Sequence, residues 1–279
     1  MTYTNSNHFR NIDDSIKVHS RADVDPKAKL SSGVIVNSGA VIGPNVEIGA
    51  NTIIGPNAII QGNTIIGDDN KIFPGACIGL EPQDLKYKGA PTEIIIGKRN
   101  RIREYVTINK ATNDGEKTVI GNDNLLMAYS HIGHNCVLED GIVIANTVQI
   151  AGHVSISNNA VIGGCLGVHQ FVHIGKLAMV GGMTRVVRDV PPYCLAEGHP
   201  GRLRGLNRVG IKRSADPAID KNQIKELQEI WNLIFKSEYV ISEALAIARS
   251  RQLGFMTEEL CEFLESSIQS ERRGPMPII

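Results

Sequence analysis

An aliphatic side chain recurs at every sixth position along much of the chain. One series runs unbroken from Val18 to Ile78, a short one covers 96–108, and a third extends from Ile120 to Val186. Small side chains often follow four residues later, with Gly, Asn, Asp or Pro between. A helix repeats its apolar residues at three and four, and an amphipathic strand alternates them, so neither period fits. Short strands joined by tight turns do fit, with one aliphatic pointing inward on each pass.

A six-residue period predicts a parallel β-helix, in which each coil buries its apolar side by stacking on the next. We therefore predict a mainly β protein whose β-helix spans residues 18–190. Two polar stretches break the rhythm, near 80–92 and 109–118, and should loop out from the coils, either as a binding face or as tolerated insertions. The polar residues 1–17 are predicted to form a flexible N-terminal extension.

Residues 191–279 lack the repeat and are predicted to form a basic connector followed by a small α-helical subdomain. The connector has five Lys or Arg and no acid within residues 201–213. Apolar residues then recur at helical spacing over 224–235 and again from Ile241. A third helix is predicted near Thr257, which would serve as its N-cap.

Composition narrows the partners and the compartment. Lys+Arg and Asp+Glu number 29 each, and no basic patch is interleaved with aromatics, so we expect no nucleic-acid partner. Five cysteines without paired spacing favour a reducing compartment. No segment has the apolar length of a signal peptide or a membrane span, which predicts a cytoplasmic protein without stable membrane insertion.

The repeat resembles that of the hexapeptide acyltransferases, whose β-helix is a left-handed prism with three flat faces. The hand and the coil length of eighteen residues come from this resemblance, since the period alone fixes neither. With such a coil, His134, Gly152 and Gln170 would lie side by side on neighbouring coils, about 4.8 Å apart. Asn135 and His153 would be neighbours in the same way.

This patch offers acid–base chemistry. A histidine can take a proton from an alcohol near neutral pH and return it to a leaving group, which gives His134 a candidate role. Gly152 has no side chain, so its N–H is open to a carbonyl oxygen, as an oxyanion donor requires. The alternatives are a solvated turn histidine and a simple turn glycine. A convex prism cannot enclose a substrate, so a second subunit is expected to complete the cleft.

Within the hexapeptide enzymes, six strings make the sequence similar to the UDP-N-acetylglucosamine acyltransferases that begin lipid A synthesis. The resemblance implies a cytoplasmic homotrimer that moves an (R)-3-hydroxyacyl group from acyl carrier protein to the 3-hydroxyl of the glucosamine of UDP-N-acetylglucosamine, with sites at subunit interfaces and no cofactor or metal. The strings are Q-D-L-K-Y-K-G at 83–89, I-G-H-N-C at 132–136, A-G-H-V at 151–154, V-H-Q-F at 168–171, M-V-G-G at 179–182 and D-V-P-P-Y at 189–193.

The resemblance also implies residue roles. It makes His134 the general base and Gly152 the N–H donor to the thioester oxygen, and it implies that the open position at Gly182 suits a longer acyl chain. Where the best-known form of the motif has aspartate, this chain has Asn135, an amide that can orient the imidazole but cannot support its charge. Substrate contacts are implied for Asp84, Leu85, Lys86, His131, His153, His169, Gln170, Met179, Gly182 and Arg208.

Three alternatives stay open on the sequence. A related hexapeptide acyltransferase would act on a 3-amino sugar nucleotide. A β-helical enzyme of the carbonic anhydrase type would bind zinc, nominally through His131, His134 and His153. A non-enzymatic structural β-helix is the third, although uniform turn residues would be expected of it instead of one histidine cluster.

Overall fold

The computed structural model describes residues 9–11, 15–269 and 271–279. Its main body is a left-handed β-helix with three faces, each made mainly of parallel strands, and it is followed by four helices. Face one contains β1 (Phe9–Asn11), β2 (Lys17–His19), β5 (Ile35–Val36), β8 (Ile53–Ile54), β11 (Lys71–Ile72), β14 (Arg101–Ile102), β17 (Leu125–Leu126), β20 (Val143–Ile144), β23 (Val161–Ile162), β26 (Met179–Val180), β28 (Cys194–Glu197) and β29 (Arg202–Leu206).

The other two faces consist of parallel strands alone. Face two contains β3 (Asp23–Val24), β6 (Val41–Ile42), β9 (Ile59–Ile60), β12 (Cys77–Leu80), β15 (Thr107–Asn109), β18 (His131–Ile132), β21 (Gln149–Ile150), β24 (Gly167–Val168) and β27 (Arg185–Val186). Face three contains β4 (Lys29–Leu30), β7 (Val46–Ile48), β10 (Asn63–Ile66), β13 (Glu93–Ile96), β16 (Lys117–Ile120), β19 (Val137–Leu138), β22 (Ser155–Ile156) and β25 (His173–Ile174).

The predicted repeat builds the core directly. From Val36 to Val186, every aliphatic of the six-residue series is at most 2% exposed, whereas Val24 and Leu30 in the first coil are only partly buried. Each ordinary coil has eighteen residues, as in the pairing of Ile132 with Ile150. The coils are therefore held together by a ladder of parallel strands outside and a column of aliphatics inside.

Both predicted excursions leave the prism between strands of neighbouring coils. Ile78 pairs with Ile108, thirty residues on, and Ile108 pairs with Ile132, twenty-four residues on. The first excursion thus adds twelve residues to a coil and the second adds six. Since the register of face two resumes after each, the excursions extend outward without disturbing the core.

The ends of the chain differ from the sequence prediction. Within the predicted flexible extension, Phe9–Asn11 forms β1, which pairs antiparallel with β2. Residues 1–8 and 12–14 lie outside the described residues. At the other end, face one continues past residue 190, because β28 pairs parallel with β26 and β29 then returns antiparallel to it. The predicted basic connector is therefore strand over Arg202–Leu206 and helix over Arg208–Arg213.

The four helices pack behind the last coils. They are α1 (Arg208–Arg213), α2 (Lys221–Lys236), α3 (Ile241–Arg249) and α4 (Phe255–Ser267). The prediction of Thr257 as an N-cap is wrong: α4 begins two residues earlier, with Gly254 as its cap, and Thr257 is buried. The helices are tied to the prism by Asp189, whose carboxylate accepts hydrogen bonds from Ser267 and Arg272 at 2.6 Å each.

Candidate active site

An open cleft of about 530 Å³ lies along face two, beside the corner that follows β18, β21 and β24. Its walls combine those strands with residues from the first excursion and from the end of β15. Of the residues singled out in the sequence, five line it: His131, His134, Gly152, His169 and Gln170. The lining also includes Gln83, Asn109, Gln149, Gly167 and Arg185, which sequence reasoning did not select.

Backbone stacking brings the corner residues together. His153 N–H donates to the His134 carbonyl at 2.9 Å, and Phe171 N–H donates to the Gly152 carbonyl at 3.2 Å. Asn135 and His153 have φ of 61° and 59°, a left-handed conformation that tilts each corner outward. The corner therefore presents polar side chains in a column, next to a strictly apolar interior.

His134 is held from one side. Its Nδ1 lies 2.9 Å from Asn135 Oδ1 and 3.0 Å from Thr112 Oγ1. On the other side, Nε2 lies 3.9 Å from Asp84 Oδ2. Asp84 comes from the first excursion and Thr112 from the second, so both excursions reach the same imidazole.

The hydrogen bonds assign the protonation of the ring. Thr112 N–H donates to Asn135 Oδ1 at 3.2 Å, which orients the amide with its oxygen toward His134. The Thr112 hydroxyl donates to Asp84 Oδ2 at 3.2 Å, so its oxygen also accepts from Nδ1. A backbone N–H from Lys86 holds the pKa of Asp84 below its usual range and keeps it an acceptor. Since both neighbours of Nδ1 are acceptors, Nδ1 carries the proton and Nε2 has the free lone pair.

Gly152 lies directly against this lone pair. A Cβ added to Gly152 would stand 2.4 Å from His134 Nε2 and 2.5 Å from Cε1. The backbone of Gly152 is not left-handed, so close approach, and not a turn conformation, requires glycine here. Within the described residues, its N–H donates to no backbone carbonyl. A base nitrogen and a backbone N–H without a backbone acceptor thus lie at one end of the cleft.

Two further histidines flank the base. The His153 ring stands edge-on to the His134 ring at 5.2 Å between centroids and stacks on Phe171 at 4.6 Å. His131 Nδ1 lies 2.7 Å from Thr107 Oγ1. Burial, and then the nearby His134, lower the pKa of both His131 and His153. Both rings are therefore neutral at pH 7 and can exchange hydrogen bonds with hydroxyl groups.

The far end of the cleft is also polar. His169 Nδ1 donates to the Gln170 carbonyl at 3.1 Å, and its Nε2 lies 3.4 Å from Arg273 Nη2. Gln149 and Arg185 occupy equivalent positions on face two, two strands apart, so counting along the sequence in steps of one coil would have identified both. Asn109 is 6% exposed, and its Oδ1 has no hydrogen-bond partner within the described residues. That oxygen is buried.

Other predicted substrate residues lie elsewhere in the chain. Leu85 is 99% exposed at the tip of the first excursion, next to Lys86. Met179 belongs to β26 on face one, and Gly182 lies on the turn that follows it, where an added Cβ would be 3.3 Å from the Gly164 carbonyl oxygen. Arg208 begins α1 and donates to Gln228 at 3.0 Å. None of these five lines the cleft of its own chain.

In the described ranges, 9–11, 15–269 and 271–279, no group of three His, Cys, Asp or Glu side chains is placed to hold a metal ion. His131 and His134, two of the nominal zinc ligands, hydrogen-bond to threonine and asparagine instead. In the same ranges, no helix has both the length and the apolar character needed to cross a membrane.

Comparison with known proteins decides the family. The acyl-(acyl-carrier-protein)–UDP-N-acetylglucosamine O-acyltransferase of Gloeothece citriformis is 52% identical over 209 residues, 75% of each chain. This chain belongs to that acyltransferase family. The family model for UDP N-acetylglucosamine O-acyltransferase, domain 2, matches residues 189–276, and the bacterial transferase hexapeptide model matches 45–79 and 117–152.

Solved structures of the acyltransferase family have the same fold. LpxA from Acinetobacter baumannii is 38% identical with a TM-score of 0.87, over 93% of this chain and 99% of that one. UDP-N-acetylglucosamine acyltransferase from Francisella novicida is 34% identical with a TM-score of 0.88, over 93% and 94%. The resemblance seen in the sequence and the predicted left-handed β-helix are both confirmed.

Proposed function

We propose that this protein transfers an (R)-3-hydroxyacyl group from acyl carrier protein to the 3-hydroxyl of the glucosamine of UDP-N-acetylglucosamine, the first step of lipid A biosynthesis. The names of its relatives support the donor and the acceptor. The observation that carries the chemistry is the contact of His134 Nε2 with Gly152, whose N–H has no backbone acceptor within the described residues. A base and an oxyanion donor in one place are what acyl transfer to an alcohol requires.

In the proposed reaction, His134 Nε2 takes the proton of the sugar hydroxyl as its oxygen attacks the thioester carbonyl. A C–O bond forms, and the tetrahedral oxyanion accepts a hydrogen bond from Gly152 N–H. When the oxyanion collapses, the C–S bond breaks and the carrier thiol leaves with the proton held on Nε2. The imidazole is neutral again, and the products are an ester and a thiol.

The other candidate residues would bind the sugar nucleotide. Neutral His131 and His153 suit sugar hydroxyls. Lys86, Arg185 and the more distant Arg208 are the cations offered to nucleotide phosphates. We also propose a cytoplasmic location, in keeping with five cysteines that lack paired spacing.

The open cleft needs a second wall, which we assign to a neighbouring copy in a homotrimer. Leu85, Met179, Gly182 and Arg208 lie away from the cleft of their own chain, so their predicted contacts with substrate would have to reach a neighbour's cleft. Glycine at 182, which has no side chain to limit the chain length, favours a longer acyl chain. Turnover of short 3-hydroxyacyl donors but not long ones would contradict that assignment.

The test is to incubate the protein with UDP-N-acetylglucosamine and a series of 3-hydroxyacyl carrier proteins. Acylated sugar nucleotide is the expected product, and His134→Ala should lower kcat/KM by at least about a hundredfold, the scale of a lost general base. His19→Ala, a histidine of the first coil, is the matched control. Full activity of His134→Ala would refute the mechanism. Preference for a 3-amino sugar nucleotide, giving an amide, would instead identify the related N-acylating enzyme.

A further inference from the structure

A carboxylate lies one amide away from the imidazole of His134. Asn135 Nδ2 donates to Glu116 Oε2 at 2.7 Å, while Asn135 Oδ1 faces His134 Nδ1 at 2.9 Å. The three side chains form a linear hydrogen-bonded chain. Glu116 belongs to the second excursion.

Glu116 is fixed before it meets Asn135. The Asn113 backbone N–H donates to Oε2 at 3.0 Å, and Asn113 Nδ2 donates to Oε1 at 3.1 Å. The bond from the Asn113 backbone, followed by that from its side chain, holds the pKa of Glu116 below its usual range. The group is thus a carboxylate at pH 7, and a carboxylate only accepts hydrogen bonds.

An acceptor at this place dictates the orientation of the neighbouring amide. Asn135 must turn its NH₂ toward Glu116, which leaves its oxygen toward His134 Nδ1–H. When His134 takes up a proton on Nε2, the positive charge is shared over the ring, and polarisation along the hydrogen-bonded chain carries stabilisation from the carboxylate to it. The uncharged amide of Asn135 then acts as a relay between the carboxylate and the charged imidazole.

We propose that Glu116, through Asn135, is a positioning residue for His134 that fixes its tautomer and stabilises its charged form. This inference rests on the proposed function, in which His134 is the general base. It explains how an amide can support the base at position 135, where the best-known form of the motif has aspartate. The competing explanation is that Glu116 only closes the 113–116 turn.

The first test is Glu116→Gln, which keeps the shape and an acceptor oxygen but removes the charge. We expect kcat to fall about tenfold to a hundredfold, the scale of a hydrogen bond to a charged group, with KM for UDP-N-acetylglucosamine within about threefold of the wild-type value. A nearby anion favours an imidazolium, so its loss should move the acid limb of the pH–rate profile to lower pH. Glu47→Gln, in an exposed pair with Lys29, is the control.

The second test is a rescue. Asn135→Asp alone places two carboxylates at hydrogen-bond distance and should be impaired by their repulsion. Combined with Glu116→Gln, the new aspartate would accept from His134 directly and from the glutamine NH₂, so the double variant should recover to within about fivefold of wild type. A residue that only closes a turn predicts a double variant no better than either single one.

The outcomes separate this inference from the proposed function. If His134→Ala stays active, the assignment of His134 as the general base is wrong, and the relay has no role. If His134→Ala is inactive while Glu116→Gln keeps its kcat and pH profile, only the relay is refuted. Thermal unfolding of each variant should match the wild type, and a loss of kcat that parallels a loss of folded protein would favour the turn-closing role.

Discussion

Substituting Gly152 by alanine tests the closest contact in the candidate site. The new Cβ would stand 2.4 Å from His134 Nε2, whereas ordinary carbon contacts are at about 3.5 Å. The imidazole must therefore retreat by about 1 Å. It cannot do so freely, because Asn135 and Thr112 hold Nδ1 at 2.9 and 3.0 Å. A displacement of about 1 Å costs on the order of a hundredfold in rate, and we expect that loss in kcat.

The assay is steady-state acyl transfer to UDP-N-acetylglucosamine. Alanine retains the backbone N–H, so a loss reports the displaced base and not a missing oxyanion donor. Gly43→Ala is the matched control, because its Cβ would meet only ordinary contacts at 3.5 Å or more. Both variants should unfold at the wild-type temperature. A kcat for Gly152→Ala within threefold of wild type would refute the argument from close approach.

Two further predictions concern stability. Burial lowers the pKa of His131, so the unfolded chain, with a pKa of about 6.5, binds more protons in acid. The free energy of unfolding should therefore fall as the pH drops below about 6.5. Between pH 7.5 and 5.5, chemical denaturation should show a smaller fall for His131→Gln than for the wild type. Equal falls would contradict this. Arg272→Met strands the buried Asp189 carboxylate and should cost roughly 3 kcal/mol, whereas Arg99→Met at the exposed pair with Asp123 should cost far less. Similar costs would show that burial of the pair is not decisive.

The prism was predictable because its interior is narrow. Most strands contribute a single aliphatic to the core, so the six-residue period in the sequence directly reflects the packing. The column of His134 and Gly152 followed from the same arithmetic once the coil length was assumed. The strand at Phe9–Asn11 was not predictable, because three residues paired at one end add no period. The prediction of Thr257 as the N-cap failed because a residue type that favours caps, lying two positions inside a helix, cannot be told from the true cap by sequence.

The contacts that hold His134 could not be predicted from the sequence for a different reason. Thr112 and Glu116 lie in the second excursion, whose six extra residues break the spacing between coils. No period connects position 116 with position 135, and only folding brings the two side chains within 2.7 Å. Coil arithmetic thus finds the residues that touch substrate more readily than those that support them.

The identity of residue 135 illustrates how the supporting contacts decide a catalytic sequence. Asn135 has a φ of 61°, a conformation that asparagine and aspartate both tolerate, so the backbone does not choose between them. Its surroundings do choose. Glu116 is held as an anion by Asn113, and an aspartate at 135 would place a second carboxylate against it. The amide satisfies both neighbours at once, since it donates to one and accepts from the other. Asparagine at 135 is therefore best understood together with glutamate at 116, as two halves of one support for His134.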